Sequence, residues 1–160
     1  MRPASRHSRR RPGQAGSALV EFAIVLLPLL GLIFLLMDIA WMIFARATLQ
    51  DAAREAVRFG VTGQSKSGLN ASIRQVAQEH SLGFITSANA ASVVGIRYTS
   101  PSDSATALSG CAATAGGNVL QVSISGLTLA PLAPLLRSAS PLALSANAAD
   151  VMEPGQTACP

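Results

Sequence analysis

The segment from Phe22 to Ala45 constrains this chain more than any other, because it is apolar or Gly/Pro throughout apart from Asp38. A helix of that length, rising about 1.5 Å per residue, extends about 36 Å. A hydrocarbon core of about 30 Å needs roughly 20 such residues, so a membrane span is predicted over residues 17–45. Glu21 and Trp41 lie about 30 Å apart along that helix and both fit at interfaces. Trp41 then suits an aromatic belt, with Asp38 one turn earlier leaning out toward water. Pro28 removes one helix hydrogen bond and predicts a bend, of the kind spanning helices tolerate when neighbours satisfy the freed carbonyl.

The flanks set the orientation. Arg2, Arg6, Arg9, Arg10 and Arg11 precede the span without a single acid, and the chain beyond it is close to neutral. By the positive-inside rule, residues 1–16 form a basic cytoplasmic leader and residues 63–160 a domain outside the membrane. Ala45-Arg46-Ala47 matches the local pattern of a secretory cleavage site, but the apolar stretch before it exceeds the roughly 7–15 residues such signals use. Ser8-Arg9-Arg10 is a weak match to a twin-arginine signal, and Pro12-Gly13 follow where apolar residues belong.

At the entrance to the span stands Gly16-Ser17-Ala18-Leu19-Val20-Glu21. A carboxylate at the edge of a span is costly and asks for a reason. One reading has Glu21 at the interface, reaching into the headgroups. The other follows from a resemblance. Gly, four residues, Glu and then an apolar helix resembles a type IV prepilin site, cut between Gly16 and Ser17. Gly16 through Ala23, with Leu27-Pro28-Leu29-Leu30 after it, is similar to the TadE-like family of pseudopilins. So is Ala52-Ala53-Arg54-Glu55-Ala56-Val57-Arg58-Phe59-Gly60, which resembles that family's helical segment just outside the membrane. Val151-Met152-Glu153 is similar to its closing "VMRxE" motif but lacks the arginine.

The resemblance implies a minor pseudopilin-like protein of a tight-adherence (Tad/Flp) pilus assembly and secretion system. It would be a single-pass protein of the bacterial inner membrane, N-terminus in and C-terminus out. Its implied partners are a prepilin peptidase and the other pilins and pseudopilins of that system. Cleavage would leave an α-amino group on Ser17, charged at neutral pH and one turn from Glu21. That amine could pair with Glu21 in the same chain or in a neighbour, and across a buried contact such a pair sets register more than affinity. The reading from another class is an uncleaved, signal-anchored binding domain outside any filament.

Beyond the membrane the helix is expected to continue over residues 46–62, with Leu49, Ala53, Ala56 and Val57 on one side. Arg46, Gln50, Arg54 and Arg58 form a ridge that Asp51 and Glu55 can pair with locally. That ridge is either a solvated face or a docking strip for partner subunits. Gly60 and Gly63 are expected to end the helix. The outer domain reads as a second helix over Asn70–Ser81, with Asn70 as its N-cap. Strands are expected at Val93–Thr99, Asn118–Ser125 and Leu142–Ala148. Ser100–Gly117 reads as a long loop, and Leu127–Leu136, broken by Pro131 and Pro134, as a connection. The predicted fold is α+β and membrane-anchored, a long N-terminal helix laid on a small antiparallel sheet, which is also the pilin-like architecture the resemblance implies.

Cys111 and Cys159 both fall on the external side, where they can form a disulfide or stay as thiols; a bridge would constrain the unfolded chain by roughly 4 kcal/mol. With only His7 and His80 beside them, no metal site is expected. No nucleophile elbow, phosphate loop or metal-binding helix occurs, so neither enzymatic activity, a cofactor nor a small-molecule substrate is expected. The pI near 10.0 suggests polyanion affinity. Yet seven basic residues from Arg46 onward face six acids, so the basic character belongs to topology and no nucleic acid is expected.

Overall fold

The computed structural model describes residues 14–62, 68–130 and 141–153. One helix, α1 (Gln14–Val61, 48 residues), carries both the apolar segment and its continuation, about 72 Å in all. It runs past Pro28 without interruption. Its character changes at Ala45. Before that point Phe22, Ile24, Val25, Leu27, Leu29 and their apolar neighbours are exposed, and the most apolar stretch is long enough to cross a membrane. From Ala45 onward one stripe is buried: Ala45, Leu49, Ala52, Ala53, Ala56 and Val57. These residues fall at helical spacing, and their small size lets the helix axis lie close to what it covers.

What it covers is a four-stranded antiparallel sheet. The strands are β1 (Val94–Ser100), β2 (Asp103–Leu108), β3 (Val119–Leu129) and β4 (Leu142–Val151), in the order β2-β1-β3-β4. α1 lies against β3 and β4. Val94, Ile96 and Tyr98 pair with Ile124, Val122 and Leu120, and Ile124 and Val122 pair with Ala146 and Ala148, so all share one face. Helix α2 (Leu69–His80) packs beside α1 through Leu69, Ile73 and Ala77. A single turn, α3 (Ala90–Val93), leads into β1, and a 3-10 helix at Gly110–Thr114 leads toward β3. The chain is α+β, a long apolar helix that could span a membrane followed by a small antiparallel sheet, as its sequence predicts.

Three expectations need correction. Ser100–Gly117 is not a loop but holds β2 and the 3-10 helix. β2 is an edge strand exposed except at Leu108, so it needs no apolar alternation and shows none. β3 does not stop at Ser125 but continues to Leu129. A bulge between Ile124 and Leu127, with Gly126 at φ +82°, inserts one residue and so shifts the strand's parity. Leu127 and Leu129 thereby return to the face of Leu120, Val122 and Ile124, opposite Leu144 and Leu142. Asn70 does not cap α2; Gly68 (φ +73°) occupies that position, and the Asn70 Oδ1 accepts a hydrogen bond from the Tyr98 hydroxyl at 2.8 Å.

The basic leader before residue 14, the turn residues from Gly63 on and the Leu127–Leu136 connection past Ala130 lie outside the described residues. So does the proposed Cys111–Cys159 bridge, through the side chain of Cys111 and all of Cys159.

Candidate functional site: the two ends of the long helix

The residues singled out by sequence fall on one element but do not form one site. Gly16 and Gly60 are about 66 Å apart along α1.

At the first end Gly16 and Ser17 lie in the opening turns of α1, both exposed. A side chain at Gly16 would meet nothing within 4 Å, so packing in this fold does not require glycine there. Ser17 and Glu21 are one helical turn apart, and the Ser17 Oγ donates to the Glu21 Oε1 at 3.4 Å. That distance is at the long end for a hydroxyl donor, but it puts the residue-17 position within reach of the carboxylate. Glu21 itself is exposed.

Midway, Asp38 and Met42 are half-buried while most of their neighbours are exposed. Both line a cavity of about 100 Å³ with Leu35 and Trp41 of α1 and Leu129 and Leu142 from the ends of β3 and β4. On another side Trp41 stacks on Phe44 with ring centroids 5.7 Å apart and meets Phe84, from the loop after α2, at 6.0 Å. Trp41 thus lies within the stretch, extending back to Leu35, where the domain after α1 meets the apolar half of the helix.

At the far end Ala52, Ala53 and Ala56 are fully buried, Arg54 and Arg58 exposed, and Glu55 half-buried. Glu55 and Arg58 form an ion pair at 3.7 Å on the surface, a geometry that contributes little to stability. Gln50 leaves the expected ridge, since its Nε2 donates to the Asn147 carbonyl of β4 at 2.7 Å. α1 ends at Val61, between Gly60 and Gly63 as expected, and Gly60 is buried in its last turn. A Cβ there would run into Leu120 Cδ2 and Ile73 Cδ1, so glycine is required by the close approach of α1, α2 and β3. The alternating small and charged residues of 52–60 therefore have an internal meaning: the small ones seat the helix on its own domain.

The C-terminal Val151-Met152-Glu153 closes the same junction. Met152 is fully buried, its N–H donates to the Asn118 carbonyl at 2.7 Å, and the Glu153 N–H donates to the Val61 carbonyl at 3.4 Å. Sequence reasoning gave that methionine no packing role, because it lies just past β4 where the alternation has ended. It also passed over Tyr98, whose burial pushes the phenol above its usual value of 10.0. Asp103 lies below the usual carboxylate value because the Thr106 side chain and the Ala105 and Thr106 amides hydrogen-bond to it. Among the described residues no three His, Cys, Asp or Glu side chains gather as a metal site would need.

The match to known families follows α1. Residues 16–58 match the model of a family described as TadE-like protein, which is associated with the Tad pilus. The matched region starts at Gly16, runs through the apolar stretch and ends within the buried small-residue segment. No curated protein and no solved structure matches the chain significantly.

Proposed function

We propose that this chain is a minor pseudopilin-like component of a Tad pilus system, held in the inner membrane by α1 with its N-terminus in and C-terminus out, and processed by a prepilin peptidase between Gly16 and Ser17. The observation that carries the proposal is the Gly16-to-Glu21 run at the head of a helix that could span a membrane, within a region matching the TadE-like family. Gly16 fits a requirement imposed from outside, because no neighbour in this fold crowds it. A peptidase that must reach the backbone at the cut needs such a residue. Glu21 sits one turn from Ser17, where a new α-amino group would appear.

In this account the small-residue segment holds the outer domain to α1, and the exposed Arg54 and Arg58 remain for contacts with other pilins and pseudopilins. The test is Gly16→Val in cells that contain the peptidase: the variant should accumulate with its leader attached. Normal processing of Gly16→Val would sink the cleavage reading. An uncleaved anchor carrying a binding domain is the competing account, and it predicts no effect of the substitution on protein length.

A further inference from the structure

We infer that the outer domain rests on the bilayer surface through a built apolar rim, formed by the turn Ser81–Phe84 on one side of α1 and the ends of β3 and β4 on the other. The inference rests on the reading of α1 as a membrane span. Its partner is a lipid surface, engaged at the headgroup layer and the top of the acyl chains.

Three observations place the rim. α2 runs back along α1, since Ile73 lies near Gly60 whereas Leu82, just past its end, shares a cleft with Phe44 and Thr48. The turn is thereby set beside Trp41, which Phe84 meets at 6.0 Å. On the opposite side Leu129 and Leu142 lie along Leu35 to Met42, where Asp38 is the one charged residue and is half-buried in the cavity they enclose. Leu35 is about 9 Å below Trp41 along the helix. If Trp41 marks the edge of the hydrocarbon, Leu82 is in the headgroup layer, which is roughly 5–8 Å deep on each side, and the strand ends reach the acyl chains.

The turn itself shows that its apolar residue is not incidental. The Phe84 N–H donates to the Ser81 carbonyl at 3.1 Å, which closes a four-residue turn with Leu82 and Gly83 in the middle. Both have positive φ, +49° and +91°. This is the primed type of turn, in which Asn, Asp or Gly normally takes the first central position. Leucine there bears backbone strain, and its side chain is 71% exposed. Water gives no return for either feature, whereas an acyl surface rewards the exposed leucine. The turn is held rigidly, because the Ser81 Oγ donates to the Gln78 carbonyl at 2.7 Å and accepts from the Ile85 N–H at 3.0 Å. No charged residue lies between Ser81 and Phe84. Phe44 (46% exposed) and Leu142 (41%) continue the apolar surface down to the lipid-facing part of α1. The polar groups that share the Leu82 cleft are Thr48, Asp51, Arg54, Glu79 and His80, of which Asp51 and Arg54 lie about 15–20 Å above Trp41 along α1. Arg46, exposed one to two turns above Trp41, is placed to meet lipid phosphates.

Tryptophan emission from full-length protein in phosphatidylcholine vesicles, with and without bromine near the top of the acyl chains, tests the proposal. The native chain has one tryptophan, Trp41, which reports on the span. In a Trp41→Phe background, Leu82→Trp and Leu142→Trp each report on one side of the rim. Both should lose emission to brominated lipid to an extent comparable with Trp41 in the native chain. Quenching of Trp41 without quenching at positions 82 and 142 would overturn the rim while leaving the span intact. A Trp41 that is not quenched would overturn the span and the rim together. Emission at 82 that is shielded from bromine and shifts with protein density would assign the surface to a second copy and also overturn the proposal. Should Leu82→Trp fail to fold, Phe84→Trp in the same turn, beside residue 41, gives the equivalent reading.

Discussion

Gly60 of α1 is the position where two other elements, α2 and β3, press on one Cα, and the consequence is specific. Gly60→Val would raise the helix propensity of the site slightly, yet it must displace Leu120, which is fully buried, and Ile73. Overpacking of this kind typically costs about 1–3 kcal/mol, so thermal unfolding in detergent should show a clearly lowered midpoint. A second residue, Tyr98, ties stability to pH. Burial raises its phenol in the folded state above the 10.0 of the free side chain. Folded protein therefore holds that proton more tightly. The contribution is present in full below about pH 10, and it is lost as pH rises through the folded value. Tyr98→Phe should unfold with less alkaline sensitivity than the native chain, after an initial loss of about 1 kcal/mol for the hydrogen bond to Asn70. The motif containing Gly60 was legible in the sequence, but its reason was not. A glycine near a helix end reads as a stop, and α1 does end one residue later, but only the facing Leu120 and Ile73 show that close packing also calls for glycine there.

At the scale of elements, periodicity served where one face is wet and one is dry. The stripe Leu49, Ala53, Ala56 and Val57, the alternation in β3 through Ile124, and Leu144 with Ala146 in β4 all obey that rule. β2 is exposed on nearly every residue, and its composition matches that of a loop, so pattern alone could not find it. The far half of β3 was hidden by the bulge at Gly126, which breaks the alternation that would have extended it. The turn at Leu82 was hidden for another reason: a Leu-Gly pair carries no turn signature, because the expected residue in a primed turn is Asn or Asp. That mismatch yields a prediction. Leu82→Asn should relieve the positive-φ strain and raise the unfolding midpoint in detergent by an amount corresponding to up to about 1 kcal/mol. If lipid contact is what retains the leucine, the same variant should bind vesicles with its outer domain more loosely held.

For the molecule as a whole, α1 joins two kinds of surface. Its first half is exposed apolar side chain that only lipid or other helices can cover, and its second half is buried by the chain's own sheet. The boundary near Ala45 was readable from hydropathy, and so was the run from Gly16 to Glu21. The position of the outer domain was not, since it depends on α2 doubling back and on the strand ends reaching Leu35. The central claim concerns what happens at the head of that helix. Intact mass and N-terminal sequence should be determined on protein from native membranes, with and without a co-expressed prepilin peptidase. The account predicts a mature chain beginning at Ser17 whenever the peptidase is active. A chain that still begins at Met1 or Arg2 beside an active peptidase would contradict it and leave a plain single-span anchor.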